Sequence, residues 1–337
     1  MNMFTKHLGA LAAGVAITAA FAGAAAADPA VIYDLGGKFD KSFNEAAYNG
    51  AERWKAATGG NFVDLELQSD AQREQALRRF ASQGNNPIVM ASFSWPAALS
   101  AVAPEFADTN FVVLDAVVEA PNVQSVLFAE HEGSFLVGAL AALKSETGAV
   151  GFVGGMDIPL IHKFYCGYAQ GAKAVNPDIK LFEAYTGTTP AAWNDPVAAG
   201  ELAKAQMDQG ADVVFAAAGG SGLGVLQAMK DAGKYSIGVD SNQNYLQPGS
   251  VLTSMLKRVD NVVETALTEA ADDATFKGGQ ITVADLSNGG VDYALDEHNA
   301  SLITEDMKAK VDDLKAKIIA GEIKVHDYTT DNTCPGV

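Results

Sequence analysis

The chain has 337 residues, 41 acidic side chains against 23 Lys and Arg, and a formal charge of −18 at neutral pH. So acidic a surface makes nucleic acid and anionic lipid poor partners and reads as a solubility device rather than a specific acidic patch. The length suits about two domains.

The first 27 residues have the layout of a cleavable secretory leader. Lys6 supplies the positive start, residues 8–21 the apolar run, and an Ala-rich stretch ending at Ala27 the small-residue cleavage site. A membrane anchor is the competing reading, but this Gly- and Ala-rich run is only weakly hydrophobic. No Cys follows the cleavage site to carry a lipid, and no later apolar run reaches membrane-spanning length. The expected mature chain is a secreted, soluble protein beginning near Asp28.

From there, apolar runs with strand character alternate with Ala-rich segments of helical length, punctuated by Gly, Pro or Asn. This is the pattern of a parallel sheet wrapped by helices. Strands at 30–33, 62–67, 87–91, 111–114 and 123–128, with helices at 42–58, 70–83 and 95–106, outline a first lobe. A connecting helix at 132–144 leads to strands at 149–153, 180–185, 213–217 and 235–239, separated by helices at 163–175, 196–209 and 222–232. Strands at 252–255 and 279–284 and a helix from Asn261 fit either set, and a closing helix at 307–320 precedes a short strand and a polar tail. Two such halves predict two lobes with a ligand cleft between them.

Ligands of open parallel sheets sit beyond the C-terminal strand ends, so the residues there are the candidates. Asp34, Gly36, Gly37, Asp40, Ser42, Phe43 and Asn44 follow the first strand. Asp40 and Ser42 read as helix caps, whereas an aromatic directly behind a cap is harder to explain as core. Phe93 and Ser94 follow the third strand and Asp115 the fourth; Phe93 suits lobe packing or ligand contact equally. Trp193, in the polar segment 186–196, offers a flat stacking plate, while Asp195 and Pro196 look like a helix start. The run Gly219, Gly220, Ser221, Gly222, Leu223, Gly224 fits neither Rossmann nor Walker A spacing and reads as a close backbone approach to a neutral ligand. Asp240 ends its strand and Lys257 follows the next. A carboxylate beside an ammonium suits a sugar diol, with an interlobe salt bridge as the alternative.

Enzyme features are lacking: there is no Ser in a nucleophile elbow, no supported Cys–His pair and no carboxylate pair that spacing singles out. His7, His131, His162, His298 and His326 are scattered without metal-ligand spacing, so no metal or cofactor is expected. Cys166 and Cys334 either join as one disulfide in an oxidising compartment or remain two free buried thiols.

Four segments carry a family resemblance: DLGGKFDKSFN at 34–44, GFVGGMDIP at 151–159, GADVVFAAAGGSGLG at 210–224 and GVDSNQNYLQPGSVLTSMLK at 238–257. In this order they resemble the basic membrane protein (BMP/PnrA-like) family of ABC-transporter substrate-binding proteins, over nearly the whole mature chain. The resemblance implies an α/β, type I periplasmic-binding protein fold, with two Rossmann-like lobes of parallel sheet joined by a three-segment hinge. The N-terminal lobe would hold 28–131 plus about 249–288, and the C-terminal lobe 132–248 plus about 289–337. It further implies a periplasmic monomer that takes a purine nucleoside or related purine base to an inner-membrane ABC permease.

Carried onto this chain, Phe43 and Trp193 would stack on the base, and Asp34, Asn44 and Asp115 would read its edge. Asp240 and Lys257 would hold the ribose with Gly220 close by, and Phe93 joins the set from its place after the third strand. Trp193 stands where many relatives carry Phe in a similar loop, and some members of the family are similar to receptors for riboflavin or signalling ligands. Two rival readings stay open: a ligand-sensing receptor subunit, and a periplasmic nucleoside hydrolase in which Asp34 or Asp240 activates water.

Overall fold

All four residues of the first strand, β1 (Ala30–Tyr33), are buried, and they alternate between two cores: Val31 and Tyr33 on one face, Ala30 and Ile32 on the other. Period-two geometry demands this wherever helices cover both faces of a parallel sheet. The computed structural model describes residues 27–337, so the expected leader, but for Ala27, lies outside the described residues.

After β1 come α1 (Phe43–Thr58), β2 (Val63–Glu66), α2 (Arg73–Ser82), β3 (Ile88–Ala91), α3 (Pro96–Val102), β4 (Phe111–Leu114) and β5 (Val123–Phe128). The second series runs α4 (Glu130–Lys144), β6 (Ala149–Met156), α5 (Pro159–Val175), β7 (Lys180–Gly187), α6 (Pro196–Asp208), β8 (Val213–Ala217), α7 (Gly222–Asp231), β9 (Tyr235–Asp240) and β10 (Val251–Lys257). The chain closes with α8 (Val259–Glu269), β11 (Ile281–Ala284), β12 (Val291–Tyr293) and α9 (Glu305–Ile319).

Two six-stranded sheets result, ordered β11-β5-β4-β3-β1-β2 and β12-β10-β9-β8-β6-β7. Every pairing is parallel except that of β12 on β10. The two orders match position by position, so the lobes share one topology except for the direction of the edge strands β11 and β12, in keeping with the type I periplasmic-binding fold. One continuous core joins the α1 and α8 face of the first sheet to the α4 and α5 face of the second. Separate clusters fill the α2 and α3 side and the α6 and α7 side.

The chain passes between the sheets after β5, after β10 and after β11. The second passage corrects the expected lobe boundary. Strand β10 pairs with β9 in the second sheet, so the return to the first lobe begins beyond Lys257 rather than near 249. The connecting helix begins at Glu130, two residues ahead of expectation. The short strand expected after the closing helix is absent: 320–337 holds only a 3-10 turn at Tyr328–Thr330, and the segment packs along α5 rather than joining a sheet.

Helices α4 and α5 meet at backbone contact, since a Cβ on Gly138 would lie 2.0 Å from the Tyr168 carbonyl oxygen and one on Gly171 1.9 Å from that of Phe135. Cys166 of α5 is bonded to Cys334, which resolves the two cysteine readings in favour of the disulfide. Among the described residues no helix is long and apolar enough to cross a membrane.

Candidate ligand-binding site

Between the lobes lies a cavity of about 590 Å³, its mouth included, walled by the C-terminal ends of β1, β3 and β4 from one sheet and β8, β9 and β10 from the other. Asp34, Phe43, Asn44, Phe93, Asp115, Trp193, Asp240 and Lys257 all line it. Of the nine expected residues, Gly220 alone stands outside the lining, and its neighbour Gly219 takes the place. A Cβ on Gly220 would sit 3.2 Å from the Trp193 carbonyl oxygen, so its bareness makes room for the Trp193 loop.

That loop is pinned from several sides. Thr186 and Ser221 donate their hydroxyls to the Ala192 carbonyl at 2.8 and 2.7 Å, and Ser221 Oγ accepts the Asp195 N–H at 2.6 Å. Asp195 in turn caps α6 through the Ala198 N–H at 2.9 Å, with Pro196 in the first turn, the helix start read from the sequence. The indole rests on Gly155, where a Cβ would come within 2.1 Å of Cζ3. From the other lobe Phe93 meets it edge-on, centroids 6.4 Å apart and planes at 62°. Phe93 therefore both packs between lobes and lines the cavity.

The β1–α1 loop delivers Phe43 by polar means. Asp40 accepts the N–H groups of Ser42, Asn44 and Glu45 at 2.8, 3.0 and 3.1 Å, as a helix cap should. Burial pushes its carboxyl up to about 7 against the pull of those three donors. Asn44 accepts the Asp34 N–H at 3.0 Å and donates to the carbonyls of Asp34 and Gly37 at 3.2 and 3.1 Å. Both its N–H groups are taken, so Asn44 shapes the loop. Asp34 holds Arg73 at 2.6 Å and accepts the Ser92 hydroxyl, yet each carboxylate oxygen keeps a lone pair for the cavity.

Lys257, at the second passage between the lobes, is 2 % exposed. Its ammonium lies 2.6 Å from Asp115 Oδ2 and 2.9 Å from Glu130 Oε1. The expected direct pair with Asp240 is not formed. Glu130 stands at the first passage and Asp115 at the end of β4, and these carboxylates reach the ammonium, while Asp240 takes the Ser42 hydroxyl across the cleft. The alternative reading of Asp240 and Lys257 as an interlobe salt bridge fails with that pair, since both stand in the second sheet; the ion pair that joins the lobes here is Lys257 with Asp115.

The other Glu130 oxygen holds Lys163 at 2.9 Å. Burial alone would raise Glu130, but Lys163 and Lys257 outweigh it and hold the carboxyl at about 2. At Asp115 burial outweighs the ammonium and pushes the carboxyl up to about 6. Burial would lower Lys257, yet the charges of Asp115, Glu130 and Asp240 keep it firmly protonated. Asp240 is raised by burial against the pull of Lys257.

Two features of the cavity lining are left open. Asp115 Oδ1 is buried with no partner, a costly state for a charged acceptor unless a donor arrives. Lys257 donates to Asp115, pairs with Glu130 and lies 5.0 Å from the Phe43 ring centroid and 4.7 Å from that of Phe128. The cavity thus offers acceptors for O–H or N–H groups, one ammonium donor and aromatic faces for a flat ring. Sequence reading missed Glu130, Lys163, Arg73 and Phe164. Glu130 follows the end of β5 and was open to the same strand-end rule; the others sit inside helices, where spacing carries no signal.

The model of the Bmp family, ABC transporter substrate-binding protein PnrA-like, matches residues 28–329. The chain is 34% identical over 313 residues to the ABC transporter nucleoside-binding protein BmpA of Lactococcus lactis, covering 86% of this chain and 87% of that one. It is 31% identical over 304 residues to Basic membrane protein A of Borreliella afzelii, covering 88% and 91%. Among solved structures, an ABC transporter system solute-binding protein from Aeropyrum pernix matches with a TM-score of 0.81 at 30% identity, covering 89% of this chain and 93% of that one. A transcriptional activator of the comK gene from Bacillus halodurans shares the fold, with a TM-score of 0.75 at 22% identity over 88% and 100% of the two chains. The chain belongs to the Bmp family of PnrA-like ABC transporter substrate-binding proteins.

Proposed function

We propose that this protein captures a purine nucleoside, or the related base, in the interlobe cavity and presents it unchanged to an inner-membrane permease. In this reading it works in the periplasm as a monomer, after loss of its leader. The observation that carries the reading is the pairing, in one cavity, of aromatic faces at Phe43 and Trp193 with the unpartnered Asp115 oxygen, Asp240 and the Lys257 ammonium. Stacking suits a flat base, and two carboxylates beside an ammonium suit the hydroxyls of a ribose diol. The printed name of the Lactococcus lactis relative, a nucleoside-binding protein, points the same way.

Closure follows from the same geometry. Asp34, Phe43, Phe93 and Asp115 come from one lobe and Trp193, Asp240 and Lys257 from the other, so a ligand touching both favours the closed arrangement. Native mass spectrometry of stripped protein with an equimolar mixture of inosine, adenosine, guanosine, adenine, riboflavin and ribose tests the reading. One purine adduct per chain is expected, with no free base released from the nucleosides. A lone riboflavin or ribose adduct, or accumulation of free base, contradicts it.

A further inference from the structure

Helix α5 lines the cavity with Leu160, Ile161 and Phe164. A second stripe of the same helix, at 162, 163, 166 and 170, is taken up by the C-terminal segment. The Tyr328 ring stacks on His162 with centroids 4.9 Å apart, and Asp327 Oδ2 lies 3.3 Å from Lys163 Nζ. Gln170 accepts the His326 N–H at 2.8 Å and donates to its carbonyl at 3.1 Å, and Cys334 is bonded to Cys166.

Lys163 ties this segment to the site. Its buried ammonium donates to the Phe128 carbonyl at 2.7 Å and is paired with two carboxylates, Glu130 Oε2 at 2.9 Å and Asp327 Oδ2 at 3.3 Å. Glu130 Oε1 then holds Lys257 at 2.9 Å, and Lys257 holds Asp115 at 2.6 Å. A carboxylate on the tail, about a quarter exposed, is therefore joined by consecutive ion pairs to the ammonium in the cavity.

We propose that residues 326–334 form a strap belonging to the binding machinery, in which Asp327 is a positioning residue that sets Lys257 through Lys163 and Glu130, and the disulfide holds the strap in place. Without Asp327 a buried ammonium loses one of the two carboxylates paired with it. Lys163 then turns to find another, Glu130 loses its fixed counter-ion, and Lys257 is no longer held ready for a ligand. This inference rests on the cavity being the nucleoside site.

The test is calorimetric titration of the whole mature, oxidised chain with inosine. Asp327→Asn is expected to weaken binding about tenfold, the size of effect typical of residues coupled through a network. Asp327→Glu should restore most of it, and on a Lys163→Met background Asp327→Asn should add nothing, because the path is already cut. The double variant Cys166→Ser/Cys334→Ser should weaken binding in the same direction. A second readout needs no ligand: the ¹⁵Nζ resonance of Lys257, assigned by its loss in Lys257→Arg, should move on Asp327→Asn in the wild-type background and not beside Lys163→Met. Wild-type affinity in Asp327→Asn with an unmoved Lys257 resonance overturns the strap. If inosine fails to bind the wild type, the nucleoside reading falls, and the strap stands or falls on the resonance alone.

Discussion

Asp115 and Asp240 are counterparts in the two lobes: one follows the last residue of β4 and the other ends β9, strands that hold the same position in their sheets, and both have a left-handed backbone at φ 62°. Such a conformation is uncommon outside Gly, and Asp and Asn are among the side chains that bear it best. Strain of this kind persists where the surroundings over-determine it, and it concentrates at functional sites. Here it turns two carboxylates into one cavity from opposite sides.

Because Asn tolerates the same backbone, Asp240→Asn should fold normally. It removes a buried carboxylate whose charged form burial disfavours, so the ligand-free midpoint should hold or rise. Inosine binding should fall by about 2 kcal/mol, roughly thirtyfold, the worth of a hydrogen bond to a charged group. Calorimetry and thermal unfolding on the same variant separate the two effects. A lower ligand-free midpoint with intact affinity would mean that Asp240 serves the fold.

Affinity should depend on pH through Asp115, pushed up to about 6 by burial despite Lys257, with Glu130 and Asp240 also facing it. Binding needs its carboxylate as an acceptor, so protonation opposes binding. Affinity should be flat above about pH 7 and fall about tenfold toward pH 5, as the charged fraction declines by one decade per pH unit. Asp115→Asn should bind weakly with no such slope. Titrations at three pH values decide, and affinity that rises on acidification would reverse the assignment.

Stability of the ligand-free protein should carry the mark of Asp40. Its folded carboxyl is pushed to about 7, above the ordinary 3.8, so the folded state holds a proton between those values that the unfolded state has lost. The stability this lends is fully present below about pH 4 and is lost as pH rises through 7. Urea midpoints of wild type should decline between pH 5 and pH 7.5. Asp40→Asn should lower the midpoint by impairing the cap, while flattening that decline. An unchanged slope in the variant would assign the decline to other groups.

Gly155 should govern affinity without touching the ligand through a side chain of its own. A Cβ there would stand 2.1 Å from the Trp193 indole, so Gly155→Ala must displace the ring. Overpacking of this kind costs about 1–3 kcal/mol. Inosine affinity is expected to drop toward that of Trp193→Ala, and the two changes combined should be no worse than Trp193→Ala alone. Additive losses would separate Gly155 from the aromatic plate.

Most strands were legible because residues buried on both faces leave continuous apolar runs. Strands β1, β4, β5 and β8 end where composition says they should. Sheet membership was not legible: Val251–Lys257 reads as a strand in either lobe, and only its pairing with β9 decides. Edge strand β12, three residues long, leaves too short a pattern to detect. At the cavity, strand-end logic and the family resemblance together brought eight residues to one place. What escaped was the wiring. Lys163 and Glu130 are 33 positions apart and meet only because α4 and α5 pack at backbone distance, and the lysine expected beside Asp240 turns instead to Asp115.

The most direct test of the central claim is thermal unfolding of stripped protein against purine nucleosides, free bases, riboflavin and ribose, for wild type and for Trp193→Ala. A ligand present at about a hundred times its dissociation constant stabilises by roughly 2.7 kcal/mol, enough to move the midpoint by several degrees. Purine nucleosides should raise the wild-type midpoint most, bases less, and neither should raise that of Trp193→Ala. A shift from riboflavin or ribose alone, or an undiminished nucleoside shift in Trp193→Ala, would contradict a purine site between these lobes.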